Sequence, residues 1–433
     1  MLNAIAALLA LSAAPQEKEA APAPLKSQEI PLEAYWRDGL RFRSKDGAFD
    51  LHVGGRFILH GRTVFDRPDD ETAPLRSVPD SFFARQAYLQ VDGKIYEEFN
   101  FRVQADFPSG APNQSTGAAA SSVRGTLKDA WIEWNPAKEF NVRVGQYYQP
   151  ISQEDWTSTL FIDFAERSVM NRLLPGREMG IKLFGSLERG LLEYQVMAAN
   201  SSSLLNDQDR SVTDRDDEKA LACLLFARPL LPTDDPWLGG LRLGLGASIE
   251  DVDSVPASGF DLVTRDLSIL FLDSDAPGTF DGLRTRIVPQ VSWELGPATL
   301  RGEYLLRRDH LDDTFAADVI VSRGWYAYAT WLVTGETKVP EKRTVPAGAW
   351  GAVELLFRAA ELSVSNPTSS GLVTGTGNSD RVLSLTAGVN WWLRSNLRFT
   401  LNAVREEFDD ELEFDQRRED TLYGLLLRAQ VDF

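Results

Sequence analysis

The feature that most constrains this chain is a period of two in its hydrophobicity, which recurs from Phe49 to the final residue. In FNFRVQADF, Phe99, Phe101, Val103, Ala105 and Phe107 share one face, and Asn100, Arg102, Gln104 and Asp106 share the other. LSLTAGVNWWL places Leu383, Leu385, Ala387, Val389 and Trp391 together. After the turn RSN, LRFTLNA continues with Leu397, Phe399, Leu401 and Ala403 against Arg398, Thr400 and Asn402. The ending gathers Tyr423, Leu425, Leu427, Ala429, Val431 and Phe433 opposite Gly424, Arg428, Gln430 and Asp432. Successive side chains of a strand point to opposite faces, so each segment is a strand with one apolar and one polar side.

A soluble sandwich alternates too, and three further features separate the cases. Many of the alternating segments run about 9 to 11 residues, the length of a tilted bilayer crossing, where globular strands average about five or six. Aromatics close the apolar faces: Phe99 and Phe107, Tyr423 and Phe433, Trp293 and Trp391. Tight links such as SLERGL, NPAKE and RSN interleave with long polar ones such as DRPDDETAPLRSVPD and PSGAPNQSTGAAASS. Girdles of aromatics and unequal rims belong to membrane barrels. The expected fold is all-β, a transmembrane antiparallel barrel. At roughly 24 residues per strand and its share of loops, residues 48–433 make about sixteen strands around an aqueous lumen. Short turns would lie on the periplasmic side and long loops outside. A barrel wall also accounts for a chain that ends on an aromatic: the last strand pairs with the first, and Phe433 lies in the interface girdle.

Composition agrees. Hydrophobic residues make up 43% and charged residues 25%, the balance of a folded chain in which only one side of each strand meets lipid. A net charge of −18 excludes a nucleic-acid partner, which needs a basic surface. Residues 1–14, with an apolar run ending in small residues, read as a signal peptide, and residues 15–47 as a periplasmic linker. Cys223, within ALACLLF, reads as a buried thiol.

Taken in order, these segments resemble the phosphate-selective porin O and P family over nearly all of residues 36–433. YWRDGLRFRSKDGAFDLHVGGRF is similar to its leading segment and first strand. RVGQYYQPISQED and FAERSVMNRLLPGREMGIKLFG resemble the inward-folded third loop and the strand after it. GWYAYATWLVTGE, GAVELLFRA and GVNWWLRSNLRFTLN follow as later strands, and LRAQVDF as the last. The resemblance implies an outer-membrane channel of a diderm bacterium, a homotrimer, with no catalysis and no cofactor. It implies that Phe433 is the signal read by the barrel assembly machinery.

A channel selects by the charges and width of its narrowest part. Arg56, Arg62, Arg102, Arg143, Arg284, Arg286, Arg301, Arg358, Arg398 and Arg428 fall on lumen faces, and Arg167, Arg172 and Arg177 in the constriction loop, residues 150–177. Arg56, Arg102, Arg143, Arg167, Arg172, Arg177, Arg286 and Arg301 are the candidate pore-lining, anion-binding residues. They form either a guanidinium ladder for small anions such as phosphate or chloride, or wall residues paired with Asp106, Asp129, Glu133, Glu294, Glu303 and Glu354. The loop carries no lysine and four carboxylates, Glu154, Asp155, Asp163 and Glu166, a departure from a phosphate-specific pattern. The acidic run at 206–218 reads as a solvated loop rather than a cation site, and no metal site is expected. Two other classes remain, a surface barrel that transports nothing and a barrel lipid hydrolase. The latter has His52 and His60 on one strand face as bases, but no G-x-S-x-G, and His310 reads as a loop residue.

Overall fold

The structure is a computed structural model that describes residues 30–65, 80–107, 126–202, 205, 217–233, 235, 237–414 and 417–433. The segment read as a signal peptide and most of the long polar loops lie outside the described residues.

Twenty strands are described. β1 (Leu32–Trp36) and β2 (Leu40–Ser44) form a hairpin within the stretch read as a linker. The wall begins with β3 (Phe49–Phe65), β4 (Ser81–Ile95), β5 (Phe99–Asp106), β6 (Thr126–Ala137), β7 (Phe140–Tyr148), β8 (Arg177–Leu187), β9 (Leu192–Asn200), β10 (Lys219–Ala227) and β11 (Leu241–Pro256). A two-stranded sheet of β12 (Leu262–Val263) and β13 (Leu270–Leu272) intervenes. The wall resumes with β14 (Thr279–Leu295), β15 (Ala298–Leu311), β16 (Val319–Leu332), β17 (Ala352–Val364), β18 (Arg381–Arg394), β19 (Leu397–Phe414) and β20 (Arg417–Asp432). Each wall strand pairs antiparallel with the next, and β20 returns to β3, closing a 16-stranded barrel. Closure removes the free edges that an open sheet of this size would expose.

The seam is continued at the periplasmic rim. Phe433 and Gly55 exchange backbone hydrogen bonds of 2.8 and 2.9 Å, β2 pairs with the start of β3, and Trp36 stacks on Phe433 with centroids 6.4 Å apart. A methyl group built on Gly55 would stand 2.9 Å from the Phe433 ring, so only glycine admits that ring.

The alternation sorts as the sequence implies. Val103, Leu385, Val389, Leu401 and Leu427 face outward and exposed, and Gln104, Thr386, Asn390, Asn402 and Arg428 face inward and buried. Phe99, Phe107, Trp391, Tyr423 and Phe433 are exposed on the outer face. Two residues differ from the sequence reading. Cys223 is exposed on the lipid side of β10, because lipid replaces a protein core for the Leu221–Leu225 face. His310 belongs to β15, which runs longer than a bilayer crossing requires.

The largest apolar cluster lies inside the barrel. Phe260, Leu262, Leu267, Ile269 and Phe271 pack on Val169, Met170 and Leu173 and on wall residues such as Val404, Phe408, Leu412 and Leu422. Two inward segments therefore fill part of the lumen: residues 149–176 between β7 and β8, and residues 257–278 between β11 and β14. Two connections on the rim of the termini are also longer than turns, residues 228–240 and 333–351.

Candidate constriction and pore lining

The constriction loop leaves the wall after Tyr148 and returns at Arg177, opposite it in the ladder. Irregular backbone inside a barrel exposes N–H and C=O groups that strands would have paired, and each needs a partner. The loop satisfies some itself. Ser152 caps the short helix α1 (Gln153–Trp156), accepting from the Asp155 N–H at 3.2 Å. Asp155 accepts from Asn171 Nδ2 at 3.0 Å and from the Gly176 N–H at 3.2 Å, which ties the two ends together. Glu154 accepts from the Ser168 N–H and hydroxyl at 2.7 and 2.6 Å.

The wall supplies the rest, largely through arginine. Arg398 donates to the Ile162 carbonyl at 2.8 Å, Arg358 to that of Glu166 at 2.8 Å, and Arg428 to those of Thr159 and Ala165. Asn390 and Gln290 reach the carbonyls of Asp163 and Ile151, both at 2.9 Å. Glu303 accepts from the Ser152 hydroxyl at 2.6 Å, the Glu154 N–H at 2.7 Å and the Tyr326 hydroxyl at 2.8 Å. At Gly246 the loop lies so close that an added methyl would stand 1.8 Å from the Ile151 carbonyl oxygen.

All four loop carboxylates are therefore engaged. Asp163 meets Lys338, from the 333–351 segment, which also donates to Glu354 at 2.7 Å. Glu166 receives a forked contact from Arg85 at 2.6 and 3.4 Å, with His60 at 3.4 Å. Burial works against the Glu166 charge, but the Arg85 guanidinium, with His60, outweighs it and holds that carboxyl down at about 2.

The eight candidate arginines divide into two sets. Arg167, 3% exposed, donates to the carbonyls of Glu154, Asp155 and Thr157. Arg172 donates to the Val263 carbonyl at 2.9 Å, binding the two inward segments together. Arg286 reaches the Leu173 carbonyl at 3.2 Å and Glu250 at 2.7 Å. These three hold the loops. The other five lie on the wall, most against aromatic rings. Arg56 sits 4.0 Å from the Tyr88 centroid and donates to Ser158 Oγ at 2.8 Å. Arg143 sits 4.0 Å from Trp131 and donates to Glu133 at 2.6 Å. Arg177 sits 3.9 Å from Tyr148 and donates to Asp129 at 2.6 Å. Arg301 reaches Glu294 at 3.4 Å. Arg102, half-buried and 5.6 Å from Trp131, makes no hydrogen bond among the described residues. Stacking keeps a guanidinium flat on the wall and leaves its charge facing the lumen.

Sequence reasoning missed the rings Tyr88, Trp131 and Tyr148, and the cations Arg85, Arg242 and Lys338. Arg242, 4.2 Å from the Phe226 centroid, sits at lumen parity in LRLGLGASI and was legible there. Lys338 was not, since nothing in a turn-rim segment marks it as folding back. Among the described residues no group of His, Cys, Asp and Glu could hold a metal ion.

A closed sixteen-stranded wall with an inward third loop is porin architecture, and the comparisons agree. The sequence profile described as phosphate-selective porin O and P matches residues 67–229 and 279–433. The chain belongs to that family. It is an outer-membrane porin, a channel through which small solutes pass. Porin O of Pseudomonas aeruginosa is 20% identical over 404 residues, 86% of each chain. In fold the porin is similar to the channel DcaP of Acinetobacter baumannii, with a TM-score of 0.55 and 11% identity over 90% of this chain and 99% of that one. It is similar also to the anion-selective porin of Comamonas acidovorans, with a TM-score of 0.53 and 12% identity over 89% of this chain and all of that one.

Proposed function

We propose that this porin passes small anions by passive diffusion, with weak or absent preference for phosphate, and works as a homotrimer inserted by the barrel assembly machinery through its Phe433 terminus. The observation that carries the anion reading is the imbalance at the constriction. Glu154, Asp155, Asp163 and Glu166 are each satisfied by cations or N–H and O–H donors, whereas among the described residues neither Arg102 nor Arg56 makes an ion pair, and Arg56 lies on the Tyr88 ring and donates to Ser158. Charges held in a narrow, partly dehydrated passage are screened less than charges on the outer rim. Against phosphate specificity, a tight site needs several convergent free donors, and the loop's Arg167 and Arg172 are committed to backbone carbonyls. Reversal potentials of the purified protein in a salt gradient test the reading directly. A cation-preferring potential overturns the anion assignment, and absence of any conductance favours a surface barrel that transports nothing.

A further inference from the structure

Residues 333–351 join β16 to β17, antiparallel neighbours for which a turn of about two to five residues suffices. The segment instead folds back into the lumen and is clipped at two places. Inside, the Lys338 ammonium bridges Asp163 of the constriction loop and Glu354 of β17, the latter at 2.7 Å, and its backbone N–H donates to the Gly296 carbonyl at 3.0 Å. At the rim, the Arg343 guanidinium pairs with Asp38, in the β1–β2 turn, and with Asp432, at the end of β20. Asp38 is itself held, since its carbonyl accepts from His52 Nε2 at 2.6 Å and His52 Nδ1 lies 3.3 Å from Asp92. Lys338 and Arg343 thus tie the constriction loop to the N-terminal turn and the seam.

Between the two clips the chain makes a tight turn. The Lys342 N–H donates to the Val339 carbonyl at 3.2 Å, and Glu341, after Pro340, has a φ of 55°. That left-handed conformation is costly for a residue with a side chain and lasts only where its surroundings hold it. The two holds are unequal. Asp163 and Glu354 are both buried, so breaking the inner clip would strand two carboxylates. At the rim Asp432 is buried but Asp38 is exposed, and an ion pair open to water is weak and screened by salt. The segment also lies across the exit. A cavity of about 400 Å³ is lined by Arg56 and Gln90 of the wall, Phe161 of the constriction loop, and Lys342 and Arg343. We propose that residues 333–351 are a strap that narrows the periplasmic exit of the channel, and that release of its Arg343 latch opens a wider conducting state. Lys338 keeps hold of Asp163 when Arg343 lets go, so the strap swings at its rim end and the constriction loop stays in place. The inference uses the porin assignment but not its charge preference, because a strap drawn aside widens the path for any small solute.

The test uses the full chain, folded in detergent for limited trypsin digestion and in a planar bilayer for single-channel current. Asp38→Asn weakens the latch, keeps every tryptic site of the strap and bears on no residue of the constriction loop. Arg343→Gln removes the latch. Heat-modifiable mobility confirms that each variant is folded. Cleavage after Lys342 should quicken about two- to tenfold in either variant, as expected for the loss of partly exposed ion pairs, and the time spent in a higher-conductance level should rise by a similar factor. Adding Asp38→Asn to Arg343→Gln should change nothing further, because the two substitutions break one contact. Raising the salt should move the wild type toward the variants and leave Arg343→Gln unmoved. Unchanged cleavage and unchanged records in both folded variants overturn the strap, and so do effects that simply add in the double variant. Faster cleavage with an unaltered conductance overturns it too, since the strap then does not narrow the exit. A shifted reversal potential with unaltered cleavage overturns the latch by making Arg343 a charge of the pore alone.

Discussion

At the residue scale, the side a residue faces decides what it tolerates, and that was legible from parity alone. Val103 and Gln104 are neighbours on β5, one exposed to lipid and one buried in the lumen with Asp129 across the ladder. Val103→Lys should cost roughly 2–4 kcal/mol near the midplane, whereas Gln104→Lys should fold, as urea titration in detergent or lipid will report. Equal tolerance at both positions would mean that the register is shifted by one. The role of each arginine was not legible. Parity puts Arg102 and Arg398 on the same side of the wall, yet among the described residues one makes no hydrogen bond and the other donates to Ile162 and Gln430. That difference depends on where a loop distant in sequence comes to lie. Arg398→Met should strip the Ile162 carbonyl of a charged donor, a loss of about 1.5–3 kcal/mol. Single-channel records should then show new flicker from a loosened constriction loop, and quiet records would argue that the loop is held elsewhere.

At the scale of elements, strand existence and strand faces could be read from the chain, the inward third loop followed from the family resemblance, and the seam could be argued from the last strand. Phe433→Asp should lower the yield of heat-modifiable protein in the outer membrane, because it removes the ring that packs on Trp36 and covers Gly55. What was not legible is the second inward segment. LVTRDLSILFL is a short apolar run, and periodicity reports a face rather than a depth, so such a run cannot be told from a wall strand. Its packing carries a pH dependence. Burial, and then the Asp273 charge, push the Asp261 carboxyl up to about 6. A carboxyl raised in the folded state stabilises that state fully below its unfolded value near 3.9 and loses the contribution as pH rises through about 6. Protection of the 257–278 segment from limited proteolysis should therefore weaken between pH 4 and 7, and Asp261→Asn should flatten the dependence. An equally steep profile in the variant would place the titration on another group.

At the scale of the whole molecule, two electrostatic facts compete. The chain carries a net charge of −18, with an acidic run at 206–218 of which residues 206–216 lie outside the described residues. The wall of the lumen carries guanidinium groups laid on Tyr88, Trp131 and Tyr148. Distance decides between them. The Debye length is about 8 Å at physiological salt, so rim charges fade before they reach the constriction, while charges inside it act directly on the ion that passes. Selectivity should then follow the lumen and resist changes at the rim. Arg102→Glu reverses a charge that, among the described residues, makes no ion pair and bears on no loop carbonyl, and should move the reversal potential toward cations while the barrel folds normally. Arg167→Glu makes the contrast, because it removes the donors of three loop carbonyls and should instead destabilise the constriction loop. Raising the salt tenfold should leave the sign of the wild-type potential unchanged if the governing charges lie in the passage, and abolish the preference if they lie on the rim. Phosphate at micromolar concentration should leave chloride current intact, since the donors that could grip it are engaged with the loop. Micromolar block would mean that some of those guanidinium groups release their carbonyls to bind the ion, which would make the constriction loop itself part of the phosphate site.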